Sequence, residues 1–149
     1  MKMSALLSRN TNARPGVTGT ARVDKDIDRL LRRVGPGDIV VLDVLDLDRM
    51  TADGLVDAGV AGVVNASPSI SGRYPNLGPE VLVANHITLI DNAGPEIFKK
   101  IKDGAKIRLH DGAVYAGDRM LVHGVERSDE EIADLMHDAK TGLVAHLEA

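Results

Sequence analysis

The sequence contains no cysteine and no tryptophan. Without thiols it forms no disulfide, no thiolate metal site, no cysteine nucleophile and no thiol redox centre. The absence fits a reducing compartment. Aromatic side chains are almost as scarce: Tyr74, Phe98 and Tyr115 serve 149 residues. The core must therefore be aliphatic, and little is left to stack against single-stranded nucleic acid. No apolar run approaches the roughly 20 residues needed to cross a bilayer. The apolar stretch within residues 1–9 is too short for a secretory signal. Histidines stand at 86, 110, 123, 137 and 146, without the H-x-H or H-E-x-x-H spacing that builds zinc sites, so no metal centre is expected.

What is present is ordinary for a globular chain: 44% apolar and 27% charged residues, in a length that suits one domain with appendages. The charge is uneven. Residues 1–37 hold eight Lys/Arg against three Asp, a net of +5, whereas residues 38–149 hold ten against nineteen, a net of −9. A basic N-terminal part either folds back onto its own acidic body or meets an acidic partner or anionic surface. An acidic body disfavours nucleic acid.

Residues 1–20 lack an apolar period and read as a flexible basic arm carrying Arg14. The spacing of Val23, Ile27, Leu30, Leu31 and Val34 predicts a helix over 24–34, with Asp24 able to cap it and Gly35-Pro36-Gly37 stopping it. Continuous apolar runs at 38–42 and 61–64 read as buried strands. Between them lies an acidic turn from Asp43 to Asp48, and then a short helix capped by Thr51. Its carboxylates lack the glycine and terminal glutamate of an EF-hand loop. Short helices are expected at 79–85 and 92–101, and strands at 87–90 and 105–109. Hairpin signals at His110-Asp111-Gly112 and Gly117-Asp118 lead to strands at 113–116 and 120–125. Ser128 and Glu131 form a capping box. After it, Ile132, Leu135, Met136, Ala139, Leu143, Val144 and Leu147 keep one apolar face, which predicts a long amphipathic helix over 128–149. The expected core comprises Ile39, Val41, Val63, Val64, Leu82, Leu89, Ile107, Leu109 and Val114.

The long loop 65–79 is the candidate site. Ser67, Ser69 and Ser71 offer hydroxyls, Gly72 and Gly78 permit close backbone approach, and Arg73 offers a planar fork for an oxyanion. With Tyr74 and Asn76 they could cradle a phosphate or carboxylate at the start of the next helix. The same loop could equally be a structural brace, with Arg73 paired to an aspartate. It carries no acid/base pair, no ordinary nucleophile and no lysine, so binding without turnover is the economical expectation, with no catalytic residue and no cofactor.

Two resemblances sharpen this. Gly37-Asp38-Ile39-Val40-Val41, Ala61-Gly62-Val63-Val64, Ser71-Gly72-Arg73-Tyr74-Pro75-Asn76 and Ile101-Lys102-Asp103-Gly104-Ala105-Lys106-Ile107 resemble the swivelling phosphohistidine domain of phosphoenolpyruvate-utilising enzymes over about residues 36–117. Asn76 stands where that family keeps its phosphorylatable histidine, and a carboxamide has no basic nitrogen to accept a phosphoryl group. The second resemblance runs nearly end to end. It rests on Arg14-Pro15-Gly16, Thr18-Gly19-Thr20-Ala21-Arg22-Val23-Asp24, Asp26-Ile27-Asp28-Arg29-Leu30-Leu31-Arg32-Arg33, Asn65-Ala66-Ser67, Ser71 to Pro79 and Gly94-Pro95-Glu96-Ile97. These phrases are similar to the N-terminal region of SteA-type cytokinetic-ring proteins of actinobacteria, whose chains continue into a thiamin-pyrophosphokinase-like domain and a membrane helix.

That likeness implies a role in cell division and daughter-cell separation, through control of septal peptidoglycan hydrolysis with a membrane partner, SteB. It implies a cytoplasmic chain recruited to the septal membrane by the rest of its protein. The joint expectation is an α/β fold: a small swivelling-like mixed sheet with short packed helices over 21–127, and a C-terminal helix leading to a second domain not contained here. Helices 24–34 and 128–148 are expected outside the family core. Function is expected as a non-catalytic interaction domain, with Arg14, Arg22, Ile132, Leu135, Met136, Leu143 and Leu147 as contact residues and self-association through the last helix. The alternative is a phosphate- or nucleotide-binding module of a thiamin-pyrophosphokinase-like enzyme.

Overall fold

A strand that is apolar at every position needs cover on both faces. Strand β2 (Ile39–Leu42) has that cover, with all four residues buried. It belongs to a computed structural model that describes residues 15–71, 77–128, 130–134 and 137. Four strands, β1 (Val17–Val23), β2, β3 (Gly62–Asn65) and β4 (Thr88–Asp91), run parallel in chain order. Three helices join them: α1 (Ile27–Arg33), α2 (Arg49–Ala58) and α3 (Gly78–Ala84). A short helix, α4 (Ile97–Lys100), then leads into the antiparallel strands β5 (Lys106–His110), β6 (Ala113–Ala116) and β7 (Arg119–His123). A two-residue strand, β8 (Val125–Glu126), returns to pair with β4.

Alternate side chains of the parallel strands feed two separate cores. Val40, Leu42, Val63 and Leu89 pack with Leu30, Ala52, Leu55 and Leu82 from the helices. Ile39, Val41, Val64 and Ile90 pack with Ile97, Ile107, Leu109, Val114 and Val122 from α4 and the antiparallel strands. The result is a mixed α/β fold in three layers, with α1 to α3 on one side of the parallel strands and α4 with the antiparallel strands on the other. All nine residues expected in the core are buried.

The strand order is β7-β6-β5-β1-β2-β3-β4-β8. Its two ends, β7 and β8, are separated in the chain by Gly124 alone. The sheet must therefore curl so that the end of β7 reaches the start of β8. Gly124 sits in that seam, donating its N–H to the carbonyl of Gly112 at 2.7 Å. A Cβ there would lie 2.6 Å from the carbonyl oxygen of Asp91 and 2.9 Å from Ile90.

Several expectations need correction. Residues 17–20, assigned to a flexible arm, are strand; the boundary at 20/21 falls inside β1. The polar, Gly-containing V-T-G-T sequence hid it. Gly19 is there for space, since a Cβ would meet the carbonyl of Gly37 at 2.3 Å. Asp26, not Asp24, caps α1, and Asp48, not Thr51, caps α2. Asp24 instead receives Arg29 through Nε and Nη2, at 2.6 and 2.7 Å. The Arg29 guanidinium holds the Asp24 carboxyl well below the usual carboxylate range. Helix α1 packs onto the sheet through Leu30, which is fully buried. The helix expected at 92–101 shrinks to α4, because Asn92 and Gly94 adopt positive φ. Strand β8 was not foreseen; it is too short to show a period. Of the long terminal helix, only 130–134 and 137 are described as helical, with Glu131 N–H donating to the Ser128 hydroxyl at 3.2 Å.

Closing the seam at Gly124 makes a prediction. Gly124→Ala pushes a methyl into backbone and is expected to destabilise the fold by about 1–3 kcal/mol in urea unfolding. Gly35→Ala, with Asp38 as its nearest neighbour at 4.0 Å, is expected to stay within about 0.5 kcal/mol of wild type.

Candidate functional site at the carboxyl ends of the parallel strands

In open α/β sheets the carboxyl ends of parallel strands are where ligands bind. Here that end is formed by residues 43–48 after β2, residues 66–71 after β3, and Asp91 at the close of β4. The structure brings Ser67, Ser69, Ser71 and Gly78 together at this end. Gly72, Arg73, Tyr74 and Asn76 lie outside the described residues, as do Arg14, Leu135, Met136, Leu143 and Leu147.

Asn65, fully buried, is the hub. Its carboxamide donates to the Val44 carbonyl at 2.8 Å and to the Ser69 hydroxyl at 2.7 Å. Its oxygen accepts from the N–H of Val44 at 2.9 Å and of Ser67 at 3.2 Å. One side chain thus joins the β2 and β3 loops. Each serine is then bound to a carboxylate. Ser67 donates to Asp43. Ser69 donates its hydroxyl to Asp91 Oδ1 at 2.7 Å, and its N–H to both oxygens of Asp91 at 2.9 and 3.0 Å. Ser71 donates its N–H and hydroxyl to Asp46, both at 2.8 Å. Asp46 holds φ +59, in the left-handed region that aspartate tolerates better than most residues.

Asp91 is fully buried and would be costly as an isolated charge. Arg127 matches it, with Nε 3.1 Å from Asp91 Oδ2, and pairs with Glu131 through Nη1. The segment after β8 is thereby tied to the strand ends. Ile132 packs beside it against Ile70 and Val83. This corrects one expectation: Ile132, read as a contact for a partner, is 2% exposed and covered by its own chain. Arg22, expected as a contact, sits in β1 with Nε 3.3 Å from Asp38.

A hydroxyl has one proton to donate, and all three serines give theirs to carboxylates. Among the described residues, an incoming oxyanion would meet Asp43, Asp46 and Asp91 beside hydroxyls already donated. Gly78 serves packing: a Cβ would stand 2.2 Å from the Leu47 carbonyl and 2.7 Å from that of Asp48. The Thr51 hydroxyl and amide hold the Asp48 carboxyl below its ordinary range, as Arg33 does for Asp103. Lowered carboxyls suit caps and ion pairs, whereas general acids at neutral pH need raised ones. Among the described residues, no group of three or more His, Asp or Glu side chains is placed to hold a metal ion.

The same end exposes apolar side chains. Met50 is 82% exposed, Leu45 55% and Leu77 40%. Leu77 borders a groove of about 450 Å³ between α2 and α3, lined also by Arg49, Asp53, Glu80, Val81 and Asn85.

Sequence reasoning named the serines but missed what they face. In the sequence Asn65 looks like the start of a loop, and nothing marks Asp91 or Arg127 as functional. The available signal was a carboxylate directly following the apolar run Leu89-Ile90, which demands a partner once buried.

No protein-family model and no curated protein sequence matches this chain. Among solved structures, 3-isopropylmalate dehydratase from Methanocaldococcus jannaschii is similar with a TM-score of 0.49 and 12% identity, over 89% of this chain and 99% of that one. A likeness at this level carries no argument about activity. Among the described residues, no helix is long and apolar enough to cross a membrane.

The network predicts a graded mutational response in urea unfolding. Arg127→Met strands the buried Asp91 and is expected to cost about 3–5 kcal/mol. Ser69→Ala removes one donor to Asp91 and one acceptor for Asn65, at about 1–3 kcal/mol, and Ser67→Ala, nearer the surface, about 1 kcal/mol or less.

Proposed function

We propose that this chain is a non-catalytic interaction domain of the SteA type, acting in cell division and daughter-cell separation by controlling septal peptidoglycan hydrolysis. The observation that carries the reading is the closure of Ser67, Ser69 and Ser71 onto Asp43, Asp91 and Asp46. The loop's described hydroxyls are committed to bracing the strand ends. A braced platform with Leu45, Met50 and Leu77 exposed at the same end suits protein contact better than phosphate capture. The long sequence phrases shared with SteA-type proteins supply the biological context. The three-layer arrangement, a parallel sheet between helices and antiparallel strands, is compatible with a swivelling-type domain whose histidine is replaced by Asn76. On this reading the chain is cytoplasmic and reaches the septal membrane through the rest of its protein and a SteB-like partner, and self-association through the terminal helix adds avidity.

The test pairs two binding measurements on the purified chain. Pull-down and calorimetry with the soluble part of the SteB-type partner are expected to give saturable binding, weakened roughly tenfold or more by Met50→Asp or Leu77→Asp, a loss near 1.4 kcal/mol. Calorimetry with inorganic phosphate and with ATP is expected to give no saturable heat. Saturable ATP or phosphate binding without partner binding would contradict the reading and favour the nucleotide-binding alternative.

A further inference from the structure

A second surface lies on the opposite side of the fold from α1 to α3. Helix α4 and strand β7 enclose a groove of about 430 Å³ lined by Lys99, Lys100, Lys102, Arg119, Met120 and Leu121. Its charge is anomalous. The chain carries a net −4, and most arginines of the described residues are matched: Arg22 to Asp38, Arg29 to Asp24, Arg33 to Asp103, Arg49 to Asp53, Arg127 to Asp91. Lys25 and Arg108 lie over the rings of Phe98 and Tyr115. The four cations of the groove make no ion pair among the described residues, like the scattered Arg32 and Lys106, but here they stand together on one groove.

The groove is also apolar and open-edged. Met120 is 55% exposed. Strand β7 ends the sheet order and pairs with β6 alone, so one side of its backbone has no strand partner among the described residues. Unpaired strand edges accept extended segments, with side-chain pockets adding selectivity. The bulge that leaves Leu121 without an opposite residue on β6 confines the regular edge to its first residues. The accepted stretch is therefore short, and charge must supply much of its affinity.

We propose that the groove between α4 and β7 binds a short, extended, acidic segment of a partner protein, with an apolar side chain seated on Met120 and Leu121. Carboxylates of the segment pair with Lys99, Lys100, Lys102 and Arg119. Peptide is favoured over nucleic acid because the groove offers an open backbone edge and an aliphatic floor, and no aromatic ring lines it for bases to stack on. The inference rests on this groove alone and stands or falls independently of the SteA-type reading.

The test uses the full chain and a fluorescein-labelled octapeptide of alternating Glu and Leu, read by fluorescence anisotropy at low and high salt. Saturable binding is expected at low salt, weakening as salt rises. The double substitution Lys99→Glu with Lys100→Glu, and Arg119→Glu alone, are each expected to weaken it roughly tenfold or more. Met120→Ser weakens it less, and circular dichroism reports that each variant is folded. Arg32→Glu, an exposed charge reversal on α1, is expected to leave binding unchanged. The proposal is overturned if the peptide does not bind, if Arg32→Glu weakens binding as much as Arg119→Glu, or if inorganic phosphate or oligothymidine displaces the peptide at equal concentration.

Discussion

A buried carboxylate at the end of a buried strand dictates much of this fold. Asp91 cannot be left alone in an aliphatic interior. It recruits the Ser69 backbone and hydroxyl from one side and the Arg127 guanidinium from the other. Through Ser69 it reaches Asn65, and through Asn65 the loop after β2. Two crossover connections, those after β2 and β3, and the segment after the last strand are thus fastened to one point. Removing any partner exposes the others to an unmet demand for hydrogen bonds, which is why the network holds together as a unit.

The second constraint is steric. Strands β7 and β8, at the two ends of the sheet order, are joined through one residue, and only glycine leaves room for the Asp91 carbonyl and Ile90 side chain beside it. The polar hub and the seam share Asp91: its carboxylate anchors the loops while its carbonyl abuts Gly124. Closure of the sheet and rigidity of the strand-end platform are therefore coupled. A site built on such a platform is stiff. It suits recognition of a surface better than chemistry that needs a closing lid, and it places exposed Leu45, Met50 and Leu77 on a fixed support.

The aliphatic runs announced the parallel strands because burial on both faces leaves no polar position to confuse the reading. Ile39, Val41, Val63 and Leu89 were legible for that reason. Strand β1 was not, because Thr18, Gly19 and Thr20 look like loop until the close approach of Gly37 is known. The cap of α1 slipped between neighbouring aspartates, since Asp24 and Asp26 offer the same oxygens and the ion pair of Asp24 with Arg29 leaves Asp26 to cap. At the candidate site the residues were legible but their partners were not. Ser67, Ser69 and Ser71 read as donors awaiting a ligand, because the aspartates that receive their protons come from segments about twenty residues away. Ile132 fitted an apolar stripe, yet periodicity alone does not say whether the stripe meets a partner or its own chain.

Residues 66–71 after β3 form a braced structural element rather than an open cradle. Native-state hydrogen exchange at the Ser69 amide tests it most directly, since that N–H is shared by both Asp91 oxygens. The account predicts protection comparable with the amides of Val41 and Val64, so that Ser69 exchanges only when the fold opens as a whole. Exchange at the rate of an exposed turn such as Gly117-Asp118 would contradict it.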